Sequence, residues 1–297
     1  EKKCNINVFS LIDELASLGT QYIHFTGGGE PFVNDDIFEY LDYCTQKKIK
    51  IILISNGLNI DEAKIKKMSN YNIVAIFFSI DSHIPEVHDA LRRTQGLWNK
   101  VTSNINLIKQ YMPEVKIVLN HVLNKKNIDD FEKFIMMKKT FDFDYINPIV
   151  IKDYDALFFT EDQIEKYNNK LDYYNNLANS LGLEFLSDNI DFFNNKVSSL
   201  GDRYNNIDLK CLYPSFCSFV DAPTGFVYPC DCSIHRDRKI YKIGDLKVQT
   251  FKEIWNGEKR KNLRKKLINS ELDCKTKCDE ANCQFNRCLL KEKEKEL

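Results

Sequence analysis

Eight cysteines crowd the last 87 of the 297 residues: Cys211, Cys217, Cys230, Cys232, Cys274, Cys278, Cys283 and Cys288. Only Cys4 and Cys44 precede them. Thiolates at such short spacings ligate zinc or iron-sulfur clusters, or close disulfides. A secreted disulfide scaffold is small and stapled throughout, whereas here a long chain with an ordinary apolar content carries a separate cysteine-dense end. Metal ligation is therefore the first expectation. Eight thiolates suffice for two four-cysteine clusters, and spacing alone leaves zinc, iron-sulfur and disulfides open.

A second chemical feature is HFTGGGEPF, in which Gly27, Gly28 and Gly29 precede Glu30. Consecutive glycines let main-chain N–H and C=O groups come close to a ligand where any Cβ would intrude. Glu30 adds an acceptor. Further polar groups follow at regular intervals: Ser55, Asn56 and Gly57; Ser79 and Asp81, then HDALRR from His88 to Arg93; Asn120; and Asn127. Each alone reads as a turn or cap residue. Together they describe a polar rim around one ligand, with Arg92 or Arg93 suited to a carboxylate because a guanidinium fork pairs with both oxygens.

The elements needed to bring these groups together are readable from periodicity. Short β-branched and aromatic runs at 20–26, 49–55, 73–80, 115–122 and 143–149 alternate with amphipathic stretches at roughly 35–48, 61–69, 97–111, 128–139 and 161–181, after an opening helix that ends at Gly19. Strand-helix alternation predicts an α/β fold with a parallel sheet, either a barrel or a doubly wound sheet, whose opening strand lies before Glu1. Ligands of such folds sit on the loops leaving the strand tips, where the polar groups fall. Residues 187–210 are rich in Asn, Asp and Ser and mark a connection. The expected division is a barrel domain over 1–205 and a small cysteine-rich domain over 206–297 with a β-hairpin turning at Gly225 and one helix over about 249–269.

On these motifs the chain resembles a radical S-adenosylmethionine (radical SAM) enzyme with a C-terminal SPASM or twitch-type auxiliary iron-sulfur domain, which implies a partial (β/α)6 TIM-like barrel lacking its first strand. FTGGGEP resembles that superfamily's GGE motif, which implies a role for Gly27, Gly28, Gly29 and Glu30 in holding the amino group of S-adenosyl-L-methionine. ISNG resembles the Asn-Gly of the next strand end, with Asn56. SIDSHIPEVHDALRRTQG resembles the family's Ser-x-Asp strand end followed by His-Asp-x-x-Arg and Gly, and this implies Ser79 and Asp81 near the cosubstrate and Arg92 at its carboxylate. Asn120 and Asn127 fall on the following strand and loop. Cys211-x13-Gly225-x4-Cys230 resembles the opening SPASM signature. The spacings from Cys274 to Cys288 depart from the usual pattern, and Cys217 and Cys232 lie outside it, so the ligand sets stay open.

The resemblance implies an oxidoreductase that generates a 5'-deoxyadenosyl radical for hydrogen abstraction, with a peptide or protein as substrate, one or two auxiliary 4Fe-4S clusters, and an electron donor such as flavodoxin or ferredoxin. One departure is large. The defining Cys-x3-Cys-x2-Cys, three thiolates that would leave one iron open for the cosubstrate, is absent. Together with the start at Glu1, this leads to the expectation of an N-terminally truncated chain, inactive unless extended upstream, with a degenerate peptide-binding barrel or a zinc-stabilised α/β-barrel enzyme as alternatives. Forty-two basic against 43 acidic residues give a net charge of −1, which speaks against nucleic acid, and no apolar run approaches a membrane span. A cytoplasmic protein is expected. No general acid or base can be named: His24, His83, His88, His121 and His235 are scattered, and Asp144 and Asn147 either face a substrate or cap a strand.

Overall fold

The computed structural model describes residues 4–26, 29–151, 155–186, 213–235 and 238–269. Gly27, Gly28, Cys211, Cys274, Cys278, Cys283 and Cys288 lie outside them. The chain divides into two compact units, Thr20–Asn195 and the combination of Glu1–Gly19 with Lys196–Leu297. The boundary expected near residue 205 also falls outside the described residues. Among the described residues no helix is long and apolar enough to cross a membrane.

Helix α1 (Val8–Ser17) opens the chain and is N-capped by Asn7, whose side chain accepts the Ser10 N–H. In the first unit, strand β1 (Tyr22–Phe25) is followed by α2 (Ile37–Gln46), β2 (Lys50–Ser55), α3 (Glu62–Met68), β3 (Ile73–Ser79), α4 (Pro85–Arg92), α5 (Leu97–Tyr111), β4 (Lys116–Leu123), α6 (Phe131–Met136), β5 (Tyr145–Val150), α7 (Glu161–Asn168), α8 (Leu171–Ser180) and β6 (Glu184–Phe185). The six strands form one parallel sheet in sequential order. This is the α/β architecture expected from the alternation. The two-residue β6 is too short to write a period into the sequence. The stretch at 161–181 breaks into α7 and α8, and that at 128–139 is the six-residue α6 flanked by 3-10 turns.

Alternation along the strands separates two faces. Ile51, Leu53, Ile76, Phe78, Ile117, Leu119, Leu123 and Ile146 are buried. Ile54, Phe77, Ser79, Asn120, Val122, Tyr145 and Asn147 are half-buried on the other face. On the buried face of β4, His121 stacks on Phe134 of α6 with ring centroids 3.8 Å apart.

In the second unit, α9 (Tyr213–Phe216) leads to a hairpin of β7 (Phe219–Asp221) and β8 (Phe226–Tyr228), then α10 (Arg238–Tyr241), β9 (Gly244–Asp245), α11 (Phe251–Asn256) and α12 (Glu258–Ile268). The hairpin turns at Gly225, whose φ of +78° few residues but glycine adopt. The single helix expected over 249–269 is two, because Gly257 takes an extended conformation that ends α11 and caps α12. The core here is Val227, Ile243, Phe251, Ile254, Leu263 and Leu267, and Leu11, Leu15 and Leu18 of the α1 segment pack against it.

Candidate functional site

The first strand tip is tied to the second by Glu30. Its carboxylate accepts from the Ser55 hydroxyl at 2.6 Å and from the Asn56 main-chain N–H at 2.8 Å. Ser55 in turn accepts the Gly57 N–H at 2.9 Å, and Asn56 accepts the Leu58 N–H at 2.9 Å. The glutamate that follows the glycine run thus holds the run's exit against the Ser-Asn-Gly turn. Charge-assisted bonds of this kind are about twice as strong as neutral ones. Gly57 is needed for its own reason: its φ is +79°, and a Cβ would lie 2.8 Å from Val101 Cγ2.

The third tip is organised around Asp81, which is nearly buried. Arg92 meets its two carboxylate oxygens with Nε at 2.6 Å and Nη2 at 3.0 Å, and the Val122 N–H donates to Oδ1 at 3.0 Å. The Asp81 N–H donates to His88 Nδ1 at 3.1 Å. Asn127 gives its amide hydrogens to the Asp81 and Val122 carbonyls at 2.7 and 2.8 Å and accepts the Asn124 N–H at 2.8 Å. Its carboxamide is therefore engaged within the protein, and Asn127 shapes the loop between β4 and α6. Asp89 accepts from the Gly96 and Trp98 N–H groups and caps α5.

The polar residues of HDALRRTQG thus divide the local work among themselves. His88 fixes the strand end, Asp89 holds the next helix, Arg92 pairs with the aspartate, and Gly96 makes a left-handed turn with φ +76°. Motif spacing pointed to Arg92 but gave no hint that Asp81, eleven residues back, would be its partner. The Arg92 side chain keeps 28% exposure, although its Nε is buried.

Register places Ser79, Asn120 and Asn147 side by side on the half-buried face of β3, β4 and β5. Asn147 donates to Asn120 Oδ1 at 2.8 Å, and its own Oδ1 is buried without a donor among the described residues. This row is a polar strip on the half-buried face of the sheet. Asp144 lies at the other end of the sheet, where it pairs with Lys109 at 2.7 Å and Lys116 at 3.1 Å and accepts the Ile117 N–H. Burial pushes its carboxyl up, but these donors outweigh that and hold it below the usual range. It clamps β4 to α5.

Three of the histidines are not poised as bases. Burial pushes His121 down to about 4, and pushes His88 and His83 below the ordinary imidazole value, so all three stay neutral near pH 7. The Cys44 thiol is buried in α2 and pushed up to about 12 by desolvation, the state of an inert core residue.

In the second unit, Phe219 pairs with Tyr228 across the hairpin. Cys217 and Cys230 each lie two residues beyond that pair, so the hairpin brings both to one end. Neither is bound in a disulfide. Cys217 has no distinguishing spacing in the sequence, and only strand register reveals its neighbour. Among the described residues no three His, Cys, Asp or Glu side chains converge as a complete metal site. The thiol pair nonetheless fits a metal or cluster, because soft sulfur donors at one hairpin end are its natural ligands.

Residues 7–137 match the radical SAM superfamily, and residues 211–284 match SPASM, an iron-sulfur cluster-binding domain. The chain is 28% identical to the cysteine-type anaerobic sulfatase-maturating enzyme of Clostridium novyi, over 84% of this chain and 68% of that protein. It is 30% identical to the mycofactocin maturase MftC of Mycobacterium tuberculosis over 124 residues, which are 42% of this chain but 31% of the relative. Among solved structures, native anSMEcpe with bound AdoMet superposes with a TM-score of 0.63 at 20% identity, covering 93% of this chain and 81% of that one. Streptococcus suis SuiB bound to precursor peptide SuiA gives 0.60 at 13% identity, covering 89% and 65%. These two likenesses concern the fold.

Proposed function

The chain belongs to the radical SAM superfamily over residues 7–137 and carries a SPASM iron-sulfur cluster-binding domain over residues 211–284, and from this premise we propose that it modifies a peptide or protein by hydrogen abstraction, as a maturase. S-adenosyl-L-methionine with a 4Fe-4S cluster supplies a 5'-deoxyadenosyl radical in this chemistry. The 297 residues contain no Cys-x3-Cys-x2-Cys, so the residues present do not fit that radical-generating cluster. What they do fit is the organic cosubstrate and the auxiliary clusters.

The observation that carries the reading is the set of strand tips. Glu30, with Ser55 and the Asn56 N–H, fixes the exit of the glycine run, and the run's main-chain groups would then meet the amino group. Arg92 is held by Asp81 with its side chain 28% exposed and would meet the cosubstrate's carboxylate, and Asp81 itself is fixed by His88, Val122 and Asn127. Ser79 and Asn120 face the same half-buried surface and would flank the cosubstrate. Neutral, buried His88 and His121 position these groups and move no proton. The thiolates of the second unit, Cys217 and Cys230 with Cys211, Cys232, Cys274, Cys278, Cys283 and Cys288, would supply one or two auxiliary clusters. A reduced flavodoxin or ferredoxin would deliver the electron, in the cytoplasm. The relatives named as maturases support a peptide substrate class.

The test is anaerobic. The chain is joined to whatever coding sequence precedes Glu1, reconstituted with iron and sulfide, and assayed for 5'-deoxyadenosine under a strong reductant. Product is expected, and Glu30→Gln should reduce it about tenfold or more, since the bonds it weakens are charge-assisted ones worth about 1.5–3 kcal/mol. No cleavage by the extended protein, or a colourless protein that carries zinc, would end the proposal.

A further inference from the structure

Arg260 is an anomaly of the second unit. It is 6% exposed in α12, with its guanidinium stacked 3.3 Å from the centroid of Trp255. It donates to the main-chain carbonyls of Trp255 at 3.0 Å, Pro214 at 2.7 Å and Ser215 at 3.3 Å. Its Nε–H is buried without an acceptor, and among the described residues no carboxylate pairs with it. Burying an unpaired cation is costly, and such a group is retained where an anion completes it. The two carbonyls nearest Nη2 belong to the segment that runs into Cys217. On that segment the Ser215 and Ser218 hydroxyls are also buried without partners among the described residues. Two orphaned hydroxyls therefore lie on the segment that carries Cys217, the orphaned Arg260 Nε–H belongs to a side chain bonded to that segment, and Cys230 lies at the same hairpin end.

We propose that Arg260 and Ser218 are positioning residues that form the donor shell of an iron-sulfur cluster ligated by Cys217 and Cys230 and raise its reduction potential. The inference rests on the iron-sulfur reading of the second unit. A thiolate-ligated cluster gains one negative charge on reduction, so a fixed buried cation and N–H or O–H donors favour the reduced state more than the oxidised one. Net charge, hydrogen bonds to sulfur and exposure are the levers that set such potentials. Arg260 acts in two ways: it carries the charge, and it anchors the backbone before Cys217 so that the thiolate and the donors share one frame.

The experiment is a spectroelectrochemical titration of the whole chain reconstituted anaerobically with ferrous iron and sulfide, for the parent, Arg260→Met, Arg260→Lys and Ser218→Ala. At the parent's midpoint poise, Arg260→Met should raise the oxidised-to-reduced ratio of one cluster component about tenfold, which is about 59 mV for a one-electron couple. Ser218→Ala should raise it about threefold, and Arg260→Lys should lie between the parent and Arg260→Met. A merely structural arginine would change iron uptake or melting temperature but leave the midpoint of the loaded protein in place. Arg260→Met that loads iron and keeps the parent midpoint within a factor of two overturns the inference alone, as does Arg260→Lys behaving like Arg260→Met. If Arg260→Met fails to load, Ser218→Ala decides: a lowered midpoint supports the donor shell, an unchanged one overturns it. A parent that takes up no iron overturns both this inference and the reading beneath it.

Discussion

At His121 a single imidazole reports on how tightly the sheet is sealed. The ring is fully buried, bonds through Nδ1 to the Ile80 carbonyl at 3.1 Å, and stacks on Phe131 and Phe134. Burial lowers its pKa from 6.5 to about 4. The folded state holds it neutral where the unfolded chain already binds a proton, so stability is intact above 6.5 and is lost as the pH falls toward 4. A shift of this size is worth about 3 kcal/mol, removed across that window and not further below it. Buried His88 adds in the same direction. Urea unfolding between pH 7 and 4 should show this decline, and His121→Gln should have a shallower slope even if less stable at pH 7. An unchanged slope would mean that other groups govern the acid sensitivity.

Among the elements, the turn after β2 sets two conditions at one residue. Gly57 combines a left-handed backbone with a Cβ position occupied by Val101 of α5 and Phe78 of β3, and its carbonyl accepts from buried Asn104 at 3.0 Å. Gly96 shares the backbone conformation, but nothing lies within 4 Å of its Cβ position. The two glycines separate strain from packing. Gly96→Ala should cost about 1–2 kcal/mol for conformation alone. Gly57→Ala adds overpacking and should cost about 2–4 kcal/mol, measured by chemical denaturation. Equal losses at the two sites would refute the packing contribution. The same turn carries Ser55 and Asn56, so an element-level defect here reaches the Glu30 cradle directly.

For the whole molecule, the placement of α1 is the least expected feature. It precedes β1 in the chain, yet it groups with residues 196–297: Leu11, Leu15 and Leu18 pack on the C-terminal core, the Lys252 N–H donates to Glu14 at 3.1 Å, and the Asn5 N–H donates to the Ala222 carbonyl at 3.2 Å. Leu15→Ala should therefore cost about 2 kcal/mol and lower hydrogen-exchange protection in the hairpin 219–228, while β2, β3 and β4 keep theirs. Loss confined to those strands would contradict the grouping. Alternating apolar runs made β1 to β5 and most helices readable, because a strand buried on one face or both, and a helix buried on one stripe, writes its period into neighbouring residues. The glycine run, Asn56-Gly57, the Arg92 motif and the Gly225 hairpin were readable for a similar reason: each needs a residue type that few others replace. Local pattern was silent on the rest. It did not show that Asp81 takes Arg92, that Asn127 turns inward, that the hairpin brings Cys217 and Cys230 to one end, that Arg260 is buried without a counter-charge among the described residues, or that α1 belongs with the C-terminal core. Those facts depend on strand register and on packing between segments distant in the chain, where closure of long loops and mutual burial, and not the character of any one stretch, select the partner.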